Sequence, residues 1–213
     1  MSNATASRWG AGAIVLALVA INWFLPDRYR LLPPFLPGIA AGLVIAAMVL
    51  SATMVRTRRW HGIERMTMSV GVGIALLFNA ANLISVVDNL VTNPSSMKPV
   101  PLFYTSVSIW TGNMLIFTLI YWLLDRGGPD ARAGKDTYPD FDFPAMDDSE
   151  KVRPGWQPGI VDYLFLGFTT STAFSPTEAM PLTPRAKLLV IVQSSISLIT
   201  IAVVAARTVN ILQ

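Results

Sequence analysis

The chain has 213 residues, 53% of them hydrophobic and 14% charged, with a mean hydropathy of +0.51, one His and no Cys. A soluble domain carries about 25% charged residues, so this chain has too few charges to coat a water-facing surface and reads as a membrane protein. Its formal net charge is +3 and its 16 basic residues are scattered among apolar runs, which argues against nucleic-acid binding. The lack of Cys excludes disulfide scaffolds, Cys-zinc sites, iron–sulfur clusters and thiol catalysis.

A helix needs about 20 apolar residues to cross a hydrocarbon core of about 30 Å. Runs of that kind extend from Trp9 to Leu25, Phe35 to Val55, Met66 to Val91, Phe103 to Leu124 and Leu188 to Leu212. Aromatic residues stand near their ends, and Pro26, Pro33, Pro34, Pro37, Pro99 and Pro101 fall in the connections. The first run continues through Ile21 and Trp23 to Pro26 without an A-x-A site, so it is read as a span rather than a cleaved signal. Gly38, Gly42 and Ala46, with Gly71, Gly73 and Ala75, form small-residue faces suited to helix contact. Asn79, Asn82 and Asn89 share a stripe of the third helix, and Asp88 on its opposite side is read as an interfacial carboxylate.

Orientation follows the basic residues of the short loops. Arg8, the second connection (Arg56, Arg58, Arg59, Arg65) and the fourth (Arg126, Arg132, Lys135, Lys151, Arg153, Arg185, Lys187) put 12 on one side. Arg28, Arg30, Lys98 and Arg207 put 4 on the other, so the N-terminus is expected in the cytoplasm. The fourth connection carries Asp130, Asp136, Asp140, Asp142, Asp147, Asp148 and Glu150 among Gly and Pro. The D-x-[DN]-x-[DN]-G calcium spacing is absent, and a solvated acidic loop is expected instead.

Between this loop and the last run, the apolar part of 159–168 is too short to span but suits a half-helix, and it ends in hydroxyl residues and Pro. Irregular backbone at membrane depth is tolerated only where protein buries it or water reaches it. Ser175-Pro176-Thr177-Glu178 has the form of a capping box, and Thr183-Pro184 marks the start of the last helix. Gln193, Ser197 and Thr200 fall on one stripe of that helix, readable either as the lining of a watery path or as hydrogen-bonding glue between helices.

The stretch from Asp162 to Leu189 resembles the pore-loop region of the potassium-channel superfamily. Tyr163, Phe165, Phe168, Thr169 and Thr170 match its aromatic pore helix ending in T-T. Ser171, Thr172, Ala173, Phe174 and Ser175 fall at the filter, and Pro181 to Leu189 match the opening of the inner helix. The chain also resembles a group of uncharacterised bacterial membrane proteins with an F-S-P-T-[DE]-x-M-P-L-T stretch after a Y-W-x-L-D-x-G-G-P helix end, as at Tyr121 to Pro129. The resemblance implies an all-α membrane protein of the cell (inner) membrane. It would have five transmembrane helices and a re-entrant half-helix before the last, forming a homo-oligomer, tetrameric by analogy, that passes small cations through the bilayer. Thr170 to Ser175 and Glu178 would form the filter region, bracketed by Asp162 and Glu178, with Gln193, Ser197 and Thr200 lining the path.

Ala173 and Ser175 stand where potassium filters place Gly, so potassium selectivity is not expected. The basic-residue count also sets the loop on the cytoplasmic side, opposite to potassium channels and as in the inverted pore loops of ionotropic glutamate receptors. The organisation expected is a four-helix region over 1–125, a polar loop over 126–158 and the pore-loop-like unit over 159–213. The alternatives are a non-conducting module using the same fold for packing or partner binding, and a small-solute transporter, although no internal repeat supports the latter. His61 beside Arg58, Arg59 and Trp60 has no partners for a zinc site or a triad, and no P-loop or G-x-S-x-G occurs. No enzyme activity, catalytic residue, metal or cofactor is expected.

Overall fold

A computed structural model of the chain describes residues 3–23, 25, 26, 33, 35–53, 58–93, 98–129, 138–144, 156–176 and 179–211, with side chains omitted at 3–7, 37, 51–53, 58–61 and 207–211. The described α-helices are α1 (Asn3–Trp23), α2 (Phe35–Thr53), α3 (Arg58–Thr92), α4 (Pro99–Leu124), α5 (Ile160–Ala173) and α6 (Pro184–Ile211). Two short strands, β1 (Phe141–Asp142) and β2 (Met180–Pro181), pair antiparallel with Phe141 opposite Pro181. Three helices are long and apolar enough to cross a membrane, over Gly62–Thr92, Pro99–Gly127 and Pro184–Ala206, which makes the chain a helical membrane protein. The apolar parts of α1 and α2, Arg8–Trp23 and Gly38–Leu50, are shorter.

Each apolar run is helical, but the helices outrun the apolar stretches. α3 starts at Arg58, well before Met66, because no Pro interrupts the intervening polar residues and a helix needs no apolar side chains to continue. Pro99 and Pro101 lie in the first turn of α4 rather than in a connection, where the missing amide costs nothing. Among the small residues, Gly71 makes the close approach between α3 and α2: a Cβ there would meet Val44 Cγ2 at 2.7 Å, whereas Gly38, Gly42 and Gly73 have nothing within 4 Å.

The core gathers around α4, which touches α1, α3, α5 and α6. Its Phe117, Tyr121 and Trp122 are fully buried. α5 lies against α4 at Gly167, where a Cβ would come within 2.7 Å of Thr118 Oγ1 and 3.0 Å of the Met114 carbonyl. With 14 residues it is about 21 Å long, short of the hydrocarbon thickness. Both ends of the segment containing α5 return to one end of α4. The Tyr163 hydroxyl reaches Asp125, just past the last residue of α4, and Met180 pairs with Asp142 of the adjoining loop. The N-terminal parts of α1 and α3 lie at this end too, since Arg8 pairs with Glu64 and Arg65 lies against Gly128.

Candidate functional site

Two polar centres hold α5 and α6 to α4. The first forms where α4 ends. A 3-10 turn, Asp125–Gly127, reverses the chain through left-handed backbone at Arg126 (φ 52°) and Gly128 (φ 98°). The glycine is required: a Cβ at 128 would sit 3.0 Å from the Leu123 carbonyl, in a conformation that side chains adopt only with strain. The reversal leaves Asp125 fully buried. Its Oδ1 accepts the amides of Asp140 (2.8 Å) and Phe141 (3.3 Å), and its Oδ2 accepts the Tyr163 hydroxyl at 2.5 Å.

Asp140, also fully buried, takes the Thr183 hydroxyl at 2.6 Å and a two-pronged contact from Arg185, Nε to Oδ1 and Nη2 to Oδ2, each at 2.7 Å. Its carbonyl accepts the Leu182 amide at 2.8 Å. Burial pushes the Asp140 carboxyl up, but hydrogen bonds from Arg185, Thr183 and the Arg126 amide, with the Arg185 charge, outweigh it and hold the group below the usual carboxylate range. The Arg185 side chain remains 59% exposed, so the guanidinium keeps much of its hydration. Of the expected solvated acidic loop, Asp140 is therefore a correction: it is buried and paired.

The second centre lies deeper and carries no charge. Gln193 of α6 is fully buried. Its Nε2 donates to the Gly167 carbonyl (2.7 Å) and to Ser171 Oγ (2.8 Å), and its Oε1 accepts the Tyr121 hydroxyl at 2.5 Å. Its backbone carbonyl accepts Asn113 Nδ2 at 3.0 Å, and the same amide donates to Ser197 Oγ at 2.8 Å. Trp110 adds a bond from Nε1 to the Ser171 carbonyl at 3.3 Å. At membrane depth no water competes for these groups, so each bond made inside the chain satisfies an atom that hydrocarbon would leave bare.

The expected filter residues separate. Thr170, Ser171, Thr172 and Ala173 are the last residues of α5, and their carbonyls follow the helix axis rather than forming an extended row. Thr170 and Ser171 are buried, whereas Thr172, Ala173, Phe174 and Ser175 are exposed. Phe174 ends the helix in left-handed backbone (φ 54°), and Thr172 Oγ1 turns back to the Phe168 carbonyl at 2.8 Å. Glu178, with Thr177 and the capping box they belong to, lies outside the described residues. Asp162 does not bracket a filter: its carboxylate accepts the Gly159 amide at 2.7 Å and caps the start of α5, at the far end of the helix from Ala173.

On α6, Gln193, Ser197 and Thr200 are all buried within one chain. Gln193 and Ser197 bond to α4 and α5, and Thr200 Oγ1 bonds the Ile196 carbonyl at 2.7 Å. Thr200 alone of the three borders a cavity of about 390 Å³ between α4 and α6, beyond the end of α5. The start of α6 follows the expected Thr183-Pro184 pattern, with the Ala186 amide donating to Thr183 Oγ1 at 3.3 Å. On α3, Asn79 and Asn82 are buried, Asn79 Oδ1 lying over Gly112, while Asp88 is exposed. Among the described residues no cluster of His, Asp or Glu is placed to hold a metal ion.

Asp125, Tyr121 and Asn113 are the members of these centres that the sequence reading passed over. The one local signal was the Asp-x-Gly-Gly after an apolar helix, which marks a reversal that turns an acid inward. Comparison with family models, with curated proteins and with solved structures finds no match to this chain.

Proposed function

We propose that the chain is a five-span, self-assembling membrane protein in which α4, α5 and α6 form a pore-loop-like unit passing small cations. The observation that carries this reading is the course of the chain. It leaves α4, runs inward as a half-helix, ends beside Trp110 in the middle of α4, and returns to the end it came from before α6 begins. A half-helix directed inward brings the partial negative charge of its C-terminus to mid-depth, which favours cations there. The exposed faces of α5 (Val161, Phe165, Phe168) and α6 (Leu188, Ile191, Leu198) offer apolar surface for neighbouring copies.

The path in this reading runs past the exposed end of α5, at Thr172 to Ser175, rather than along Gln193 and Ser197, whose hydrogen-bonding groups are engaged within the chain. Flux of sodium or potassium into liposomes carrying the purified protein tests it. Conduction that falls at least several-fold in Ala173→Trp and Glu178→Gln supports the path; flux that is absent, or unchanged in both variants, overturns it.

The second reading is a non-conducting module that uses the same hairpin for packing. The helical backbone of Thr170 to Ala173 and the saturated bonds of Gln193 favour it. A protein that self-associates by native mass spectrometry yet gives no flux fits this reading.

A further inference from the structure

The groove between α4 and α6 is filled along only part of its length. α5 occupies it from Tyr163 to Ala173, and beyond that end the groove opens into the cavity of about 390 Å³ walled by Phe103, Val107, Trp110, Thr172, Ile201 and Val204. The wall is apolar apart from scattered hydroxyls, and both flanking helices are long enough to span, so the cavity lies at hydrocarbon depth. We propose that it is a binding site for one acyl chain of an anionic phospholipid.

Three observations favour that occupant over a neighbouring helix. The wall projects bulky side chains, whereas packed membrane helices need runs of small residues to let their backbones approach. A flexible chain adapts to such a wall. The site also lies at the end of the protein away from Asp125 and Asp140, where Lys98 immediately precedes α4 and Arg207 stands three residues beyond Val204, on the same face of α6. Two basic residues at the mouth of an apolar groove match an anionic headgroup with its tail inside. Finally, α3 packs on a separate face of the two helices, against Leu102, Ile109 and Val203, so it does not close the groove.

The absence of native Cys makes a clean test available. Val107→Cys, labelled with a fluorophore, is reconstituted as the full chain in phosphatidylcholine vesicles containing phosphatidylglycerol, with brominated acyl chains on one lipid at a time. Brominated phosphatidylglycerol is expected to quench the label several-fold more than brominated phosphatidylcholine at equal mole fraction. Lys98→Gln is expected to equalise the two, and Ala205→Trp, which fills the groove, to remove most of the quenching. Equal quenching by both lipids in the otherwise unaltered chain overturns the proposal. So does a label shielded from both lipids that forms disulfide-linked dimers when left unmodified, since a second copy then occupies the groove. None of these readouts depends on conduction.

Discussion

The two centres that hold α5 and α6 to α4 solve one problem by opposite means. Where α4 ends, the contact is ionic: a buried Asp140 is gripped by a half-exposed Arg185 that keeps access to water. Deeper, around Gln193, every partner is neutral and buried. The difference follows from what desolvation costs. A guanidinium stripped of water loses several kcal/mol, so the charged pair is affordable only where one partner stays wet, whereas amides and hydroxyls can be fully enclosed once each has a partner.

Breaking the charged centre has the largest expected effect. Arg185→Ala leaves Asp140 buried without its counter-charge and is expected to lower stability by about 3 kcal/mol or more, read as a lower midpoint of unfolding in detergent. Asp140→Ala is expected to cost less, because the Arg185 it releases is already half exposed and hydrates. Removing the neutral centre with Gln193→Leu leaves the Tyr121 hydroxyl without its acceptor and the Gly167 carbonyl and Ser171 without their donor; about 1–3 kcal/mol is expected, by the same measurement.

Gly167→Ala tests the approach that both centres hold in place. Its new methyl meets the Met114 carbonyl as well as a movable hydroxyl, and about 1–3 kcal/mol of destabilisation is expected. Ser197→Ala should be the smallest loss, about 0.6 kcal/mol, in keeping with single hydrogen bonds between membrane helices.

Acid separates the centres without mutation. The folded Asp140 has a lowered pKa, so the unfolded chain binds the proton first. The stabilisation from this group is complete above the ordinary carboxylate pKa of about 4 and is lost as pH falls through the lower folded value. Unfolding midpoints measured from pH 6 down to pH 3 should drop in the unaltered chain, and the Asp140 share of that drop should vanish in Asp140→Asn. Gln193→Leu should keep the full pH dependence.

The helices were legible because apolar runs of spanning length admit few other structures, and the start of α6 was legible because Thr183-Pro184 is a local chemical signal. Helix ends were less so: hydropathy reports where lipid lies, and α3 continues into polar residues that nothing interrupts. The two centres were the least legible. Seven acids stand in the loop over 126–158, and no local feature marks Asp140 as the one whose partner waits at Arg185. Gln193 was legible as a polar residue on a helical stripe, but its direction was not, because its partner Tyr121 is 72 residues away and the choice between facing a path and facing the core is made by packing.

The separation of 45 residues between Asp140 and Arg185 also sets an order of events during synthesis. When α5 leaves the ribosome, the arginine that neutralises Asp140 has not yet been made, and a helix of 14 residues is too short to settle across the bilayer alone. Asp140 must therefore stay hydrated at the surface until α6 inserts and delivers its first turn. The half-helix docks last, and chains truncated just before Arg185 should leave the 140 region open to protease while the longer helices are already in place.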